Sequence, residues 1–576
     1  MPVHNSDIAE IFNRTADYLD IKGENPFRIR AYRNASRIIG SLSRSVAEMV
    51  DREEDLGKIP GIGQDLAGKI KEIVKTGTLP LLEELKQELS PELSALMEIP
   101  GLGPKRVKTL YDEMGIRSVD ELRRAAEQGK VRTLPGFGAK TESTILEEIG
   151  KIKETKKGGR RVKLAVVEQV VEPLVGYLSK IAGIKEIDVA GSYRRRRETV
   201  GDLDVLVACG QGCPVMDKFV DYEDVEKILS QGKTRSSVLF RNGLQVDLRV
   251  VPEASYGAAL LYFTGSKAHN IAIRKIAQKR KFKINEYGVF RGKKRIAGRT
   301  EKDVYRQVSL PWIEPELRED RGEVEAAQEK RLPEPVRLGD IRGDLHVHTT
   351  WSDGRSSLEE MAGAAKKLGY EYLAVSDHSK HVTVAHGLDA KRLGRQVKEI
   401  DRLNGKLKGL RLLKSVELDI LEDGSLDLPD EILEELDLVI FSVHSKFNLS
   451  REKQTERIIR AMDNPCVHIF CHPTGRLISE RRPYEVDLER VMNAARERGC
   501  HLELNSHPDR LDLDDVGCKR AKEMGLKVAI STDAHSLDDL RYMRFGIGQA
   551  RRGWLEPRDI LNTKSWEDLK GLLKRD

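Results

Sequence analysis

Hydrophobic and polar positions follow different periods in different parts of the chain. In residues 1–150, apolar residues recur at helical spacing between charged ones, and glycine and proline interrupt the pattern. Val205-Leu206-Val207 is a short apolar run, and residues 244–251 alternate apolar with polar, as strands do. In residues 341–576, strand-like runs alternate with helical stretches such as 357–368. The pattern predicts a helical first region, a middle region built on a sheet, and a third region of α/β type.

Composition narrows the class of protein. At 576 residues the chain is too long for one core, so we expect three or more domains. It is 33% charged, and no apolar run reaches the roughly 18 residues of a membrane span. No signal peptide follows Met1, and the six cysteines lack CxxC spacing. We therefore expect a monomeric protein of the reducing cytoplasm, without a membrane partner.

Charge is distributed unevenly along the chain. Residues 151–340 contain 38 Lys and Arg against 27 Asp and Glu, an excess of eleven positive charges, although the whole chain carries only +6. Runs such as 194–197, 279–281 and 291–295 supply this excess. A basic middle region predicts contact with a nucleic-acid backbone.

A pair of acids in this basic region indicates metal chemistry. Gly191-Ser192 is followed by Asp202 and Asp204, which lie two residues apart before an apolar run and therefore point to the same side of a strand. Two close carboxylates are stable together when cations such as Mg²⁺ or Mn²⁺ bind between them. Asp247, on the second predicted strand, completes a two-metal site if the strands pair. Surface strands with solvated acids are the alternative.

This region resembles the family X DNA polymerases. Tyr262-Phe263-Thr264-Gly265-Ser266 is similar to that family's nucleotide-selecting turn, and residues 311–319 are similar to its closing motif. The resemblance implies that Asp202 and Asp204 bind both metals and that Asp247 binds the catalytic metal and acts as the general base. It further implies triphosphate contacts from Gly191, Ser192, Arg195 and Gly201, nucleotide contacts from Tyr262, Phe263, Gly265 and Asn270, and a template contact from Arg274.

One turn signature occurs three times in the first region. It reads Ile-Pro-Gly-Ile-Gly at 59–63, Ile-Pro-Gly-Leu-Gly at 99–103 and Leu-Pro-Gly-Phe-Gly at 134–138. It resembles the helix-hairpin-helix motif, whose glycines let the backbone approach a DNA phosphate. The implied DNA-binding glycines are Gly61, Gly63, Gly101, Gly103, Gly136 and Gly138.

The first copy also raises the question of a lyase activity. Some family X repair polymerases use a lysine in this domain to form a Schiff base with an abasic sugar, and the matching position is Lys69. Asp65 stands where a basic residue would hold the 5′-phosphate, which departs from the family pattern. A surface lysine on a helix that faces DNA is the alternative.

Histidine dominates the chemistry of the third region. Eleven of the thirteen histidines lie between residues 346 and 535, and six of seven strand-like runs end in histidine, glutamate or aspartate. Alternating strands and helices predict a β/α barrel, in which such residues converge at the carboxyl ends of the strands. The pattern therefore predicts a metal centre.

This region resembles the PHP (polymerase and histidinol phosphatase) domain. The resemblance implies about three Zn²⁺ or Mn²⁺ ions, a bridging Glu417 and phosphoester hydrolysis. Fused to a polymerase, the implied activity is 3′→5′ exonuclease or 3′-end processing, with abasic endonuclease or 3′-phosphatase activity as further options. We also expect Arg476 and Arg510 to bind phosphate. The implied metal ligands are His346, His348, Asp353, His378, Glu417, His444, His472, Asp533 and His535.

Together these motifs predict a multidomain α+β and α/β protein that binds gapped or primer-template DNA and dNTPs. A DNA-binding repair scaffold, an RNA-tailing nucleotidyltransferase and a metabolic phosphatase remain alternatives. The predicted parts are a helical DNA-binding, lyase-like domain at 1–80, helix-hairpin-helix fingers at 81–150, a nucleotidyltransferase palm with a mixed or antiparallel sheet at 151–255, a thumb at 256–318, a linker at 319–340, and a PHP phosphoesterase domain folded as a distorted (β/α)7 barrel at 341–576.

Overall fold

The structure, a computed structural model, divides the chain into two compact units, Met1–Arg161 and Val162–Asp576. The break lies eleven residues after the predicted end of the fingers at residue 150; the finer subdivision stays a prediction. No helix in the part of the chain described is long and apolar enough to cross a membrane. The structure describes residues 5–41, 46–59, 61–88, 96, 99, 102, 104–138, 141–146, 149, 161–210 and 212–574.

The first unit is helical, and one apolar cluster that includes Ile8, Phe12 and Leu110 forms its core. Short 3₁₀ turns cover Leu56–Lys58 and Val131–Thr133. The named helices are α1 (Asn5–Lys22), α2 (Pro26–Ser41), α3 (Val46–Asp51), α4 (Gln64–Thr76), α5 (Pro80–Glu88), α6 (Pro104–Met114) and α7 (Val119–Glu127).

The three repeated turns share one backbone hydrogen bond. The fourth residue of each copy donates its amide to the carbonyl of the first, from Ile62 to Ile59 at 2.9 Å, from Leu102 to Ile99 at 2.9 Å, and from Phe137 to Leu134 at 3.0 Å. The glycines Gly61 and Gly136 have φ of +89° and +82°, a region that favours glycine. Gly63 and Gly138 follow in their copies, whereas Gly101 and Gly103 lie outside the described residues.

The second unit begins with the palm, a mixed five-stranded sheet of order β2-β4-β7-β6-β5. Every strand of this sheet lies within the described residues, and of its four strand pairs only β4–β7 is parallel. Two short strands, β1 (Val162–Lys163) and β3 (Thr199–Val200), pair beside it. The sheet strands are β2 (Ile184–Val189), β4 (Asp202–Cys209), β5 (Val225–Gln231), β6 (Arg235–Phe240) and β7 (Gln245–Val251), and the palm helices are α8 (Leu164–Leu178), α9 (Gly191–Arg194) and α10 (Val215–Val220).

The thumb follows the palm and contains three helices and a small antiparallel sheet. Ser266 ends the turn after the first helix and caps the second by accepting a hydrogen bond from the His269 amide at 3.2 Å. The thumb elements are α11 (Tyr256–Thr264), α12 (Lys267–Lys279), β8 (Lys283–Asn285), β9 (Gly288–Arg291), β10 (Lys294–Ala297) and α13 (Glu301–Gln307), with 3₁₀ turns at Glu253–Ser255 and Pro315–Leu317.

Residues 319–340 are not the simple linker that their charge predicts. They contain helix α14 (Glu323–Gln328), and Val324 and Ala327 join the apolar core of the thumb. The buried carboxylate of Glu323 accepts a hydrogen bond from His269 at 2.6 Å. The prediction was wrong because a few apolar positions, spaced to one helix face, are enough to pack a segment whose overall composition is polar.

The PHP region contains eight short strands, which form a parallel three-stranded and a parallel five-stranded sheet. The seven predicted runs all appear, with one divided between β13 and β14. Single bridges join the sheets at both sides, His378 with Glu417 and Val347 with Ala534, so the first and last strands are neighbours. The strands are β11 (Gly343–Val347), β12 (Tyr372–Val375), β13 (Arg411–Lys414), β14 (Glu417–Asp419), β15 (Ile440–Ser442), β16 (Ile469–Phe470), β17 (His501–Asn505) and β18 (Val528–Ser531).

Helices connect these strands, as a parallel sheet requires. Ser357 begins the first of them with a reciprocal capping box to Glu360. The helices are α15 (Leu358–Lys367), α16 (Ala390–Asn404), α17 (Asp430–Leu433), α18 (Arg451–Ala461), α19 (Leu488–Arg498), α20 (Asp515–Glu523), α21 (Met543–Arg552) and α22 (Trp566–Leu573), and 3₁₀ turns cover Leu338–Asp340, Thr383–Ala385, Asp538–Tyr542, Pro557–Asp559 and Leu561–Thr563.

Side chains of the palm and of the PHP region meet in one apolar cluster, the shared core, which is separate from the larger apolar cluster of the PHP region itself. Leu511 and Phe545, both from the PHP region, lie in the same buried cluster as Val167 and Leu203 of the palm. Ion pairs surround this shared core, including Arg476 with Glu198 at 2.7 Å, Arg544 with Glu168 at 3.0 Å and Lys163 with Asp509 at 2.6 Å. The two parts therefore constrain each other's position.

Candidate active sites

The three predicted acids of the palm lie on its parallel strand pair. Asp204 on β4 is directly opposite Asp247 on β7, and Asp202 precedes them at the exposed start of β4. Burial, together with the like charges of Asp202 and Asp247, raises the pKa of Asp204 to about 6. Close carboxylates that repel one another in this way fit a divalent cation.

A residue that the sequence did not single out, Arg235, also contacts this cluster. Its Nη2 donates to Asp247 Oδ2 at 2.8 Å, and Gln245 Nε2 donates to Oδ1 at 3.1 Å. Burial would raise the pKa of Asp247, but hydrogen bonds from Ser237, Gln245 and Arg235 outweigh it and lower the pKa. The expected general base is thus the carboxylate whose proton affinity the protein itself reduces.

The predicted triphosphate residues surround a sharp turn beside the acids. Gly191 has φ of +65°, and a Cβ at this position would lie 3.0 Å from Asp204 Oδ2, so a side chain here would be strained and crowded. Ser192 belongs to the short helix α9, while Gly201 is exposed directly before Asp202. Arg195 does not project freely, because its guanidinium pairs with Glu319 at 3.0 Å.

The predicted nucleotide-selecting turn lies on the same side of the palm. Phe263 is stacked under the guanidinium of Arg249 at 4.4 Å, and Arg249 lies 4.0 Å from Asp247 Oδ2. Tyr262 is 39% exposed and meets Phe263 edge to face at 5.1 Å. This chain of contacts connects the aromatic pair with a metal-binding acid.

The residues after this turn are linked by hydrogen bonds. The Asn270 amide donates to the Tyr262 carbonyl at 2.7 Å, and Arg274 Nε donates to the Asn270 carbonyl at 3.2 Å. Tyr262, Asn270 and Arg274 line one pocket of the thumb. Gly265, with φ of +70°, ends α11 beside Arg195.

All nine predicted ligands of the PHP region converge. Glu417 is central, with His378 Nδ1 2.8 Å from its Oε2, and His472 Nε2 at 2.8 Å and His444 Nε2 at 3.2 Å from its Oε1. Four groups have donor atoms close enough to share a cation: His348, Asp353, His378 and His535; His346, His348 and Asp533; His378, Glu417 and His444; and His346, Cys471 and Glu503, of which Cys471 and Glu503 were not predicted as ligands.

The chemistry of this donor set fits divalent cations. Burial would raise the pKa of Glu417, but His444, His378 and His346 outweigh it and hold the pKa well below its usual range. Burial and the neighbouring imidazoles of His535 and His378 lower the pKa of His348 to about 3. One buried donor atom without a hydrogen-bond partner, His348 Nδ1, is an atom that a metal would satisfy.

Four family models match the chain: a helix-hairpin-helix domain at residues 3–79, a SAM-like helix-hairpin-helix tandem at 93–151, a DNA polymerase beta thumb at 259–319 and a PHP domain at 344–507. The DNA polymerase/3'-5' exonuclease PolX of Bacillus subtilis (strain 168) is 40% identical over 579 residues, which cover 100% of both chains. The chain belongs to the family X DNA polymerases that carry a PHP domain.

Two further relatives each match one part of this family X chain. A probable phosphatase of Thermoanaerobacter sp. (strain X514) is 33% identical over 231 residues, which are 38% of this chain and 89% of the phosphatase. DNA polymerase lambda of Rattus norvegicus is 26% identical over 346 residues, which are 55% of this chain and 56% of that polymerase.

Carboxylates behind the PHP ligands were not found from the sequence. Glu503 accepts from His346 Nδ1 at 2.8 Å and from the His472 amide at 2.8 Å, and Asp419 accepts from the His444 amide at 3.2 Å. Such partners orient a metal-binding imidazole. In the sequence, each of these acids stands within an otherwise apolar run, as Glu503 does between Leu502 and Leu504, whereas the predicted ligands stand at the ends of such runs.

Of the two arginines of the PHP region that were expected to bind phosphate, one differs from expectation. Arg476 is not available for phosphate, since it donates to the carbonyls of Arg510 and Leu511 and pairs with Glu198. Arg510 Nε does lie 3.4 Å from Asp533 Oδ2, beside the ligands.

The candidate lyase residue of the helix-hairpin-helix region has a local partner. Lys69 pairs with Asp65 one helical turn earlier, and its ammonium lies 5.7 Å from the centre of the Tyr32 ring. The residue that departs from the family pattern is therefore the one that holds the lysine.

Proposed function

We propose that this chain is a DNA-directed DNA polymerase that fills gaps during DNA repair and removes nucleotides from 3′ ends with its PHP region. The observation that carries the proposal is the pairing of Asp204 with Asp247 across parallel strands, in a chain that also brings nine PHP ligands together. The full-length similarity to a polymerase with 3'-5' exonuclease activity supports both halves.

In the polymerase site, Asp202, Asp204 and Asp247 would hold Mg²⁺ or Mn²⁺. Bound cations of this kind lower the pKa of a primer hydroxyl and stabilise the charge on the phosphates. Asp247 would accept the hydroxyl proton, for which Arg235, hydrogen-bonded to its Oδ2, would be a competitor. Gly191, Ser192, Arg195 and Gly201 would receive the triphosphate, whereas Tyr262, Phe263, Gly265 and Asn270 would contact the nucleotide and Arg274 the template.

In the PHP site, the three groups of donors that consist only of predicted ligands would hold about three Zn²⁺ or Mn²⁺ ions. These cations supply Lewis-acid activation of water and of the phosphoester. Glu417, which contacts histidines from several strands, would connect the groups. Arg510 would orient a phosphate at the mouth of the site.

A second activity of the PHP region is favoured by one comparison. The match to this region covers 89% of the length of the probable phosphatase. Removal of 3′-phosphates, which is a phosphomonoesterase reaction, is therefore the second candidate, and abasic endonuclease activity is the third. Release of inorganic phosphate from a 3′-phosphorylated primer would distinguish the second candidate from nucleotide release.

An abasic-sugar lyase activity at Lys69 is open to a direct test. Borohydride trapping on incised abasic DNA would be compared for the wild type, Lys69→Ala and Lys71→Ala, in which an exposed lysine of the same helix is removed. A Schiff base at Lys69 predicts loss of trapping in the first variant alone. Equal trapping in all three proteins would exclude Lys69 as the nucleophile.

A labelled primer on a gapped duplex tests the main proposal. With Mn²⁺ and dNTPs, Asp202→Ala/Asp204→Ala is expected to lose extension and keep shortening, whereas His346→Ala/His348→Ala is expected to lose shortening and keep extension. Normal shortening by the histidine variant would assign the PHP region another task, and extension by the aspartate variant would exclude the polymerase site.

We propose that the protein acts in the cytoplasm. All six cysteines are free thiols, which supports a reducing compartment. The monomeric state stays a prediction.

A further inference from the structure

The first observation concerns Arg195, the triphosphate residue of the proposed polymerase site. Its Nε donates to Glu319 Oε1 at 3.0 Å, and its Nη1 donates to the Thr264 carbonyl. Only 12% of the side chain is exposed. Arg195 thus lies between the triphosphate turn of the palm and the nucleotide-selecting turn of the thumb, with one carboxylate as its ionic partner.

The second observation is that Arg552 of the PHP region reaches the same place. It is the last residue of α21, and its Nη1 donates to the Arg195 carbonyl at 2.8 Å and to Glu319 Oε1 at 2.9 Å. Its Nη2 donates to Asp515. With 3% of its side chain exposed, Arg552 is held more firmly than Arg195 is.

The charges at this junction have a definite order. Burial would raise the pKa of Glu319, but Arg552, Arg195 and Arg197 outweigh it and lower the pKa to about 2. Glu319 is therefore ionised, and its Oε1 accepts from the guanidinium groups of Arg195 and Arg552, with that of Arg197 at 3.7 Å. If Arg195 turns toward a triphosphate, Glu319 keeps Arg552 as a partner, and no buried carboxylate is left unpaired.

We infer that Arg552 is a positioning residue for nucleotide binding: by holding both the backbone carbonyl of Arg195 and its partner Glu319, a PHP side chain sets where Arg195 meets the triphosphate. The inference rests on the proposed function, in which Arg195 contacts the triphosphate. It adds to that function a direct contribution of the PHP region to the polymerase reaction.

The neighbouring residue offers a matched control. Arg551 also belongs to α21 and also crosses to the thumb, where it pairs with Glu316 at 2.8 Å and Glu314 at 3.1 Å. It makes no recorded contact with Arg195 within the described part of the chain. Arg551→Gln removes an interdomain ion pair of the same kind and leaves the Arg195 junction intact.

The experiment measures filling of a single-nucleotide gap by the full chain. The Michaelis constant for the dNTP and kcat would be determined for the wild type, Arg552→Gln and Arg551→Gln. Primer shortening without dNTPs and the melting temperature would be measured on the same preparations. For Arg552→Gln we expect the Michaelis constant for the dNTP to rise about tenfold, as loss of a charge-assisted hydrogen bond would give, with shortening unchanged. For Arg551→Gln we expect no dNTP-specific change.

Double variants test whether Arg552 acts through Arg195. In an Arg195→Gln background, the further change Arg552→Gln is expected to leave the Michaelis constant for the dNTP unchanged. Independent, multiplying effects would overturn the inference, as would equal rises in the Arg551 and Arg552 variants. A wild type that does not extend the primer contradicts the proposed function instead.

A lysine variant keeps the test valid if Arg552→Gln does not fold. Lysine retains the charge but not the fork that serves the Arg195 carbonyl, Glu319 and Asp515 together. Arg552→Lys is therefore expected to recover the melting temperature while the Michaelis constant for the dNTP stays raised. Full recovery of that constant by lysine would show that charge alone matters, which overturns the positioning role.

Discussion

Predicted metal ligands in both sites have a partner among the protein's own side chains. Asp247 is held by Arg235 and Gln245, and His346 is held by Glu503. These partners fix the orientation of the predicted ligand, and the cationic partner, Arg235, would also compete with a metal ion for the same carboxylate. The two sites therefore differ in what their supporting residues do to metal affinity.

Arg235→Gln is expected to lower the Mg²⁺ concentration that gives half-maximal primer extension, by about threefold to tenfold. The reason is that Asp247 would lose a competing positive charge 2.8 Å away. Titration of extension against Mg²⁺ measures the effect, with Arg241→Gln as the control, an exposed arginine at the end of the same hairpin. A higher Mg²⁺ requirement would mean that Arg235 orients Asp247 rather than competing.

Glu503→Gln is expected to reduce shortening by about 10- to 100-fold and to weaken metal retention at the PHP site, because His346 would lose the carboxylate that orients its imidazole. Metal analysis after dialysis, together with the shortening assay, checks this outcome. Extension on the same preparation is the internal control. Unchanged metal content and shortening would show that the His346 orientation does not depend on Glu503.

Local spacing was sufficient to predict residues that the structure brings together, and insufficient for the residues that support them. Asp202 and Asp204 are two residues apart, and the histidines end successive strands, so short-range pattern was enough to select them as candidate ligands. Arg235 and Glu503 act through partners 12 and 157 residues away, which no local pattern encodes. Arg476 was assigned to phosphate because a loop arginine looks the same in sequence whether it faces solvent or a neighbouring domain.

The helix-hairpin-helix turns separate two roles of glycine within one element. Gly61 has φ of +89°, and an added Cβ would lie 2.6 Å from Ile38 Cδ1. Gly63 has an ordinary φ and no atom within 4 Å of an added Cβ, so its small size serves approach from outside. The first glycine maintains the turn, and the second keeps its surface open.

Alanine substitutions are expected to distinguish these roles. Gly61→Ala should lower the free energy of unfolding of the first unit by about 1–2 kcal/mol, because alanine is strained at this φ. Gly63→Ala should leave that energy unchanged and weaken DNA binding severalfold, since a methyl group blocks the phosphate approach. Calorimetry and a DNA titration measure the two effects; unchanged DNA affinity in Gly63→Ala would remove this glycine from the interface.

The thumb is fixed to the palm by a buried cluster around Glu301. This carboxylate accepts from Arg194 at 2.9 Å, from Arg318 at 2.6 Å and from Trp312 Nε1 at 2.9 Å. Burial would raise its pKa, but Arg318 and Arg194 outweigh it and lower the pKa to about 2, from an ordinary value of 4.5. Because the folded pKa is depressed, the stabilisation is complete above pH 4.5 and is lost as pH falls toward 2.

Acid unfolding therefore tests this cluster. Between about pH 5 and pH 2, protonation of Glu301 should remove on the order of 3 kcal/mol from the free energy of unfolding. Glu301→Gln should melt at a lower temperature at pH 7, because two guanidinium groups lose their partner, yet lose less stability on acidification than the wild type. Glu325→Gln, which removes an exposed carboxylate, is the control. Parallel acid curves for wild type and Glu301→Gln would contradict the assignment.

At the level of the whole second unit, the shared core joins the palm and the PHP region. Phe545 and Leu511 are buried among palm residues such as Val167, so side chains of the PHP region complete the apolar core of the palm, although the PHP region also has a large apolar cluster of its own. The sequence could not predict this, because the apolar spacing of α21 shows that one face is buried but not which domain covers it.

Phe545→Ala should lower the free energy of unfolding by about 3–5 kcal/mol, the usual cost of emptying a buried aromatic site. If the core is shared, heating should inactivate extension and shortening at one temperature in the wild type and at one lower temperature in the variant. Residual activities after timed heating give both midpoints. Two separate midpoints, with only one shifted, would show that the two parts unfold independently.

The same shared core also fixes the distance between the polymerase site and the PHP site. An enzyme that cannot bring its second site to a mispaired end must let that end leave, and correction then becomes a competition between rates. The two rates are that of adding the next dNTP and that of DNA dissociation from the polymerase site. Accuracy in such an enzyme depends on how much a mismatch slows the next addition. A slow addition gives the DNA time to dissociate, so that its 3′ end is shortened before it is extended.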